Sequence, residues 1–297
     1  MIPVGSALPF VLSPSMSLFI TSLNSGSNGN CYYIGNENEA VLVDVGISCR
    51  EVEKRLKDLG LSMQKVKAVF VSHEHSDHIR GLGMLSNKYG LPVYITAPTL
   101  RNGRLYLNKE LIRDFTTMAP VQVGDLLITA FPKIHDAADP YSFTVSYKRL
   151  KVGVFTDIGA PCDQLARHFS QCHAVFLESN YDTTMLDKGN YPYYLKSRIR
   201  GGQGHLSNDQ ALELFRSHRS PSLTHLLLSH LSKNNNCPKL VEELFAAHAE
   251  GVQIVIASRY AATPVYEITG SNVVVSKMQL PVDKQQAQLS FFKNTSQ

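Results

Sequence analysis

Apolar residues along this chain fall mainly in short runs separated by clusters of Gly, Asn, Ser and Pro. Ser17 to Leu23, Cys31 to Ile34 and Ala40 to Val45 are rich in Val, Ile and Tyr and predict strands. Ser48 with Glu51 three residues on has the form of a capping box, and Val52, Leu56 and Leu59 form one helical face ending at Gly60. A buried-type strand, Lys67 to Ser72, runs into His73-Glu-His-Ser-Asp-His78, with a helix expected from Ile79 to Tyr89. The pattern then predicts a strand at Val93–Thr96, a helix near Thr99–Leu107 and a hairpin over Val121–Phe131 turning at Gly124-Asp125. The second half has the same rhythm. Strands Ser142–Tyr147, Lys151–Thr156, Ala174–Glu178, His225–Ser229, Gln253–Ala257 and Val265–Ile268 alternate with helices at Asp163–Ser170, Gln210–Ser217 and Lys239–His248. Ser207 and Gln210 form a second capping box. Two β-rich halves, each carrying helices, predict a mixed α/β (α+β) fold, a four-layer αββα sandwich of two sheets.

The domain is expected over residues 17–275, after a loose leader at 1–16, where Met16 is an alternative start, and before a polar tail at 276–297. No window holds enough uninterrupted apolar residues for a membrane helix, and the N-terminus lacks the basic segment of a secretion signal. Five cysteines, without a C-x-x-C pair, read as reduced thiols in a cytoplasmic protein. A net charge of +4 permits an anionic partner without requiring one.

The strongest chemical signal is His73-x-His75-x-Asp77-His78 directly after an apolar strand. Imidazoles and a carboxylate suit zinc and related divalent ions, and four such groups exceed what one tetrahedral ion takes from a single turn. Splayed at a strand end, His73 and His75 can face one ion and Asp77 and His78 another. His135, Asp157 and His230 each stand just beyond a β-type run, and Asp44 ends the strand before Gly46.

This combination of His-x-His-x-Asp-His, an upstream Asp-x-Gly strand end and later His, Asp and His residues resembles the metallo-β-lactamase superfamily, over about Ser17 to Thr269. The resemblance implies His73, His75 and His135 on one metal and Asp77, His78 and His230 on the other. It places Asp157 between them and Asp44 behind a ligand, orienting it. Two divalent ions per chain are then expected, zinc first, with manganese or iron compatible. A hydroxide bridging such ions is the expected nucleophile, with Asp77 contributing to catalysis as well as binding metal.

Glu178 at a strand end, Gly204-His205-Leu-Ser207 and Ser229-His230-Leu-Ser232 resemble the nuclease branch of that superfamily, where the acidic residue and second histidine assist the scissile phosphate. Only 73 positions separate Asp157 from His230, too few for the inserted domain of the β-CASP enzymes. Ser25-Gly-Ser-Asn-Gly-Asn-Cys31, His135-Asp-Ala137, Glu178-Ser-Asn-Tyr-Asp182, Gly204-His-Leu-Ser-Asn208 and His230-Leu-Ser-Lys-Asn-Asn235 are similar to the YycJ/WalJ group of bacterial proteins, linked to 5′-to-3′ exonuclease action on double-stranded DNA. The resemblance thus implies a metal-dependent phosphodiesterase whose partner is nucleic acid, DNA first. The residues themselves offer candidate substrate contacts: Arg198 and Arg200 for phosphates, the glycine-rich turn with Ser25, Ser27 and Asn28 for a terminal phosphate, and Asn234. From Asn180 to Asn235 seven basic residues stand against four acidic ones, interleaved with Tyr181, Tyr191, Tyr193 and Tyr194, which is compatible with a nucleic-acid surface. Ribonuclease Z-like RNA processing, hydrolysis of a small phosphodiester or thioester, and a metal-containing binding module without turnover remain open, as does the oligomeric state.

Overall fold

The computed structural model describes residues 16–269, so the expected tail and all but the last residue of the expected leader lie outside the described residues. Early in the chain come β1 (Leu18–Asn24), β2 (Cys31–Gly35) and β3 (Ala40–Val43), then α1 (Cys49–Asp58) and β4 (Val66–Phe70). After the histidine-rich loop follow α2 (Ser76–Ile79), α3 (Leu82–Tyr89), β5 (Val93–Tyr94), α4 (Ala97–Asn102) and β6 (Ile112–Arg113). The second half begins with β7 (Pro120–Val123), β8 (Leu126–Pro132), β9 (Tyr141–Tyr147), β10 (Leu150–Phe155), α5 (Asp163–Phe169) and β11 (Ala174–Glu178). It closes with α6 (Thr183–Lys188), α7 (Tyr193–Arg200), α8 (Asn208–His218), β12 (His225–Ser229), α9 (Pro238–Ala246), β13 (Gln253–Ile256) and β14 (Tyr266–Ile268).

Two seven-stranded sheets result, ordered β14-β1-β2-β3-β4-β5-β6 and β13-β12-β11-β10-β9-β8-β7. The period of two in each strand decides which side chains meet. Tyr32 and Ile34 of β2, Val41 and Val43 of β3, and Phe70 of β4 face Phe143, Val145, Val152, Val154 and Phe176 of the other sheet, all buried. The intervening residues point outward: Cys31, Tyr33 and Leu42 pack under α1 and α3, and Phe155, Val175 and Leu228 pack under α5, α8 and α9. Three apolar layers between four structural layers make the αββα sandwich that the sequence pattern predicts.

The strands β3 to β6 run parallel, as do β10 to β13. Their carboxyl ends carry Asp44, His73, Asp157, Glu178 and His230, and the carboxyl ends of parallel strands are where open α/β sheets place ligands.

Three expectations change. The single helix from Ile79 is two, α2 and α3, broken at Gly81, where a Cβ would lie 1.9 Å from the Ile47 carbonyl oxygen. The helix near Thr99–Leu107 stops at Asn102. Ser48 does cap α1 by accepting from the Glu51 N–H at 3.2 Å, but the Glu51 carboxylate turns to Arg55, so the reciprocal half of the box is replaced by an i,i+4 ion pair. The Ser207–Gln210 box forms in full.

Candidate metal centre

Backbone conformation builds this site before any side chain does. Asp44, Asp157 and His230, each just past a strand end, have φ of 61°, 55° and 57°. Left-handed backbone is uncommon for residues with a Cβ, and such strain persists where the surroundings fix it, often at functional sites. The histidine loop is held by its neighbours: the Asn30 N–H donates to the Asp77 carbonyl at 2.7 Å and the Val45 N–H to that of His78 at 2.8 Å. Gly46 lets the two loops meet, because a Cβ there would lie 1.6 Å from the Asp77 carbonyl oxygen.

Side chains implied as ligands converge. His73, His75 and His135 bring one donor atom each within 4.8 Å of one another, as do Asp77, His78 and His230. His73 Nε2 lies 3.0 Å from His75 Nδ1, and His135 Nε2 lies 3.3 Å from the same atom. In the second set His78 Nε2 is 3.6 Å, and His230 Nε2 3.4 Å, from Asp77 Oδ2. Asp157 stands between the sets, with Oδ2 3.1 Å from His78 Nε2 and Oδ1 3.9 Å from His135 Nε2.

In four of the five imidazoles the inward nitrogen is fixed by what holds the other side of the ring, the usual way a ligand tautomer is set. His73 Nδ1 meets Ser72 Oγ at 2.8 Å, His135 Nδ1 the Gly204 carbonyl at 3.0 Å, and His78 Nδ1 Asp44 Oδ2 at 2.7 Å. His230 Nδ1 meets Glu178 Oε1 at 2.9 Å. That oxygen also takes His205 Nδ1 at 2.8 Å, while Glu178 Oε2 accepts the N–H groups of Ile158 and Leu206. Glu178 is fully buried, so four hydrogen bonds hold a carboxylate that would otherwise be costly to desolvate. Asp157, Glu178, His205 and His230 form a further acid–imidazole group beside the two triads.

Electrostatics separate the two triads. Burial lowers the pKa of His73 and His75, and takes His135 down to about 4, leaving neutral rings ready to donate lone pairs. Burial opposes charge on His78 too, but Asp157, Asp44 and Asp77 override it and push the imidazole up to about 10. His230 is likewise raised, against burial, by Asp157, Asp77 and Glu178. Despite burial, Asp77 is held down at about 2 by His78 and His230, and Glu178 at about 2 by His205 and His230. Without a metal, two imidazolium charges therefore offset part of the carboxylate charge, as one divalent cation would. His230 Nε2 and Asp157 Oδ2 are nonetheless buried and have no hydrogen-bond partner. Buried ligand-type atoms left without a hydrogen bond fit a divalent cation, which would take the His230 Nε2 lone pair once that ring gives up its proton.

The expected substrate contacts are scattered more widely. Ser25 is buried, accepting the His230 N–H at 2.7 Å and pairing with the Tyr32 hydroxyl, so it braces a ligand strand end. Ser27 Oγ accepts from Arg259, and Asn28 donates to the Arg259 carbonyl, on an exposed turn. Arg198 binds Asp136 at 2.5 Å beside His135, Arg200 binds Asp187 at 2.6 Å, and Asn234 donates to the Tyr191 hydroxyl at 3.1 Å. Sequence reasoning passed over Asn30, which reaches Asp77 Oδ2 at 3.2 Å and His78 Nε2 at 3.1 Å. It also passed over Ser72 behind His73 and the buried Lys133, which donates to the Thr156 carbonyl at 2.8 Å beside Asp157. Of these only Asn30 lay inside a quoted motif.

A family model described as "Beta-lactamase superfamily domain" matches residues 39–230. The chain belongs to the metallo-β-lactamase superfamily. It is 34% identical to the exodeoxyribonuclease YycJ of Bacillus anthracis over 230 residues, 76% of this chain and 86% of that protein. It is 32% identical to the exodeoxyribonuclease WalJ of Streptococcus pneumoniae, covering 73% of this chain and 83% of the relative. Among solved structures, the metallo-β-lactamase fold protein YhfI of Bacillus subtilis superposes with a TM-score of 0.67 at 18% identity, covering 85% of this chain and 100% of that one. A superfamily member with these clustered ligands is a metal-dependent hydrolase, and its His and Asp groups suit divalent ions. Among the described residues no helix is long and apolar enough to cross a membrane.

Proposed function

We propose that this chain is a binuclear phosphodiesterase acting on nucleic acid, in the first place a 5′-to-3′ exonuclease on double-stranded DNA. The observation that carries the reading is the Glu178 carboxylate held between His205 and His230, which sets a proton-transfer group against a metal-ligand group. The names of the two bacterial relatives support DNA as the substrate.

His73, His75 and His135 would hold one ion, Asp77, His78 and His230 the other, and Asp157 both. Zinc is our first choice, with manganese or iron compatible with the same donors. Divalent ions bound there supply a water acidic enough to act near neutral pH and positive charge for the pentavalent transition state. This chain's own groups do the rest. Asp44, Ser72 and Glu178 keep the ligand rings turned inward. His205, its Nδ1 held by Glu178, keeps Nε2 free to hydrogen-bond the scissile phosphate or hand a proton to the departing oxygen. Ser27, Asn28, Arg198 and Asn234 stand as the outer contacts, with Arg200 behind them. Five free cysteines agree with a cytoplasmic setting.

Metal-replete protein, assayed in parallel on a 5′-labelled duplex, the same duplex labelled at the 3′ end, a structured RNA and bis(p-nitrophenyl) phosphate, tests the proposal. Release of labelled mononucleotide from the 5′ end ahead of any shortening at the other is expected. Duplex binding without cleavage under zinc, manganese and iron would instead identify a binding module, and RNA cleavage alone a ribonuclease.

A further inference from the structure

Of the seven basic residues at 180–235, four are tied within the fold, and Lys188, Arg216 and Lys233 are spread along the sequence. Arg198 is tied to Asp136, Arg200 to Asp187 and Arg219 to Glu250, and Lys196 donates to the Asp187 carbonyl. A different segment carries cations left free. Between Ala97 and Arg113 there are four basic residues and one acid, Glu110. Arg101, Arg104 and Lys109 are exposed, and among the described residues none of their side chains has a hydrogen bond or ion pair. Tyr106 lies between them with 92% of its surface exposed. Leaving so large a ring in water gives up burial that most tyrosines gain, and rings so placed are common where a partner stacks on them.

This segment is anchored rather than loose. Leu105 and Leu107 are packed against the core under the first sheet, so Arg104, Tyr106 and Asn108 alternate outward. Its start lies against the histidine loop: a Cβ on Gly103 would be 3.0 Å from Ile79 Cδ1 and 3.4 Å from the Cβ of Glu74, the residue between His73 and His75. Thr99 Oγ1, in the helix leading into the segment, donates to the Asp139 carbonyl, and Glu74 of the histidine loop accepts the Ala138 N–H, so both meet the loop that carries His135.

We propose that the Arg101–Lys109 segment is a polynucleotide-binding surface, its three unpaired cations holding backbone phosphates beyond the metal-ligand cluster while Tyr106 stacks against a nucleotide. This rests on the phosphodiesterase reading above and sharpens it: the substrate is a polymer that runs past His75, not a small diester. Fixed, unpaired cations bind phosphates by releasing counterions from the nucleic acid, a contribution that salt removes. An aromatic face adds sequence-tolerant stacking.

The test compares the parent protein with a triple variant, Arg101→Gln, Arg104→Asn and Lys109→Gln, and with Tyr106→Ala. Asn is chosen at 104 because φ there is 47°. Kinetics on a fluorescent duplex and on bis(p-nitrophenyl) phosphate are measured across a salt series. For the triple variant the duplex KM should rise about tenfold or more at low salt, and the salt slope of binding should fall by about two to three, close to one for each phosphate no longer held. Turnover of bis(p-nitrophenyl) phosphate should stay within about twofold, since that diester cannot reach the loop. Tyr106→Ala should raise the duplex KM alone, and putting Arg back at 101 and Lys back at 109 in the triple variant should recover most of the slope. An unchanged duplex KM and slope, with the parent cleaving DNA, would overturn the surface but leave the nuclease reading intact. A parent protein that hydrolyses only the small diester would overturn both.

Discussion

Glu178 Oε1 lies 2.9 Å from His230 Nδ1, and the same oxygen is 2.8 Å from His205 Nδ1. One buried acceptor thus fixes the orientation of a proposed metal ligand and of a proposed proton donor. Glu178→Gln keeps the shape but presents an amide to two imidazoles. Loss of a hydrogen bond behind a metal ligand typically weakens metal binding by about 10- to 100-fold. Titration with zinc should show that drop at one site, and kcat should fall with it. Unchanged affinity and kcat would remove Glu178 from the machinery.

His205→Ala separates proton transfer from metal binding. His205 belongs to neither triad, so metal content should remain that of the parent. The loss of a positioned acid should lower kcat by about 10²- to 10⁴-fold, read by single-turnover cleavage. Loss of bound metal in this variant would make His205 a ligand instead.

Proton release accompanies metal binding. His78, at about 10, and His230, also raised, are protonated at pH 7 in the metal-free protein, yet only neutral imidazole binds metal. Calorimetry in buffers of differing ionisation enthalpy should report release of about two protons as the second site fills. The same shifts set how stability follows pH. The raised His78 stabilises the metal-free fold fully below 6.5, and that contribution disappears as pH rises through about 10. Glu178, lowered to about 2, stabilises above 4.5 and loses its contribution as pH falls toward about 2. The gain in Tm on adding metal should therefore grow between pH 6 and pH 9, as scanning calorimetry of loaded and chelated protein would show.

Gly46→Ala probes the loop contact. The added methyl cannot occupy a point 1.6 Å from the Asp77 carbonyl oxygen, so the histidine loop must shift. Overpacking of this kind costs about 1–3 kcal/mol. Lower denaturation midpoints and reduced metal occupancy are expected together in this variant. Full metal occupancy would show that the loop relaxes without moving its ligands.

The sandwich was legible because alternating strands buried on two faces leave an unmistakable composition, and His73, His135, Asp157 and His230 stood out because each follows such a strand. Helices α6 and α7 were not, since Gly189, Tyr191 and Pro192 break the pattern into short pieces whose shared core is Tyr181, Leu186 and Ile199. Partner choice was also illegible. Ser25, read as a substrate contact, binds the His230 backbone 205 residues away, and Arg198 is bonded to Asp136 62 residues away. Such pairings are set by how strand ends converge in space, which no local pattern encodes.

The two-metal centre is tested most directly by anomalous diffraction at the metal absorption edge from crystals grown with zinc or manganese. Two peaks are predicted, one among His73, His75 and His135, the other among Asp77, His78 and His230, with Asp157 between them. An empty map, or one peak enclosed by Asp157, Glu178, His205 and His230, would contradict it.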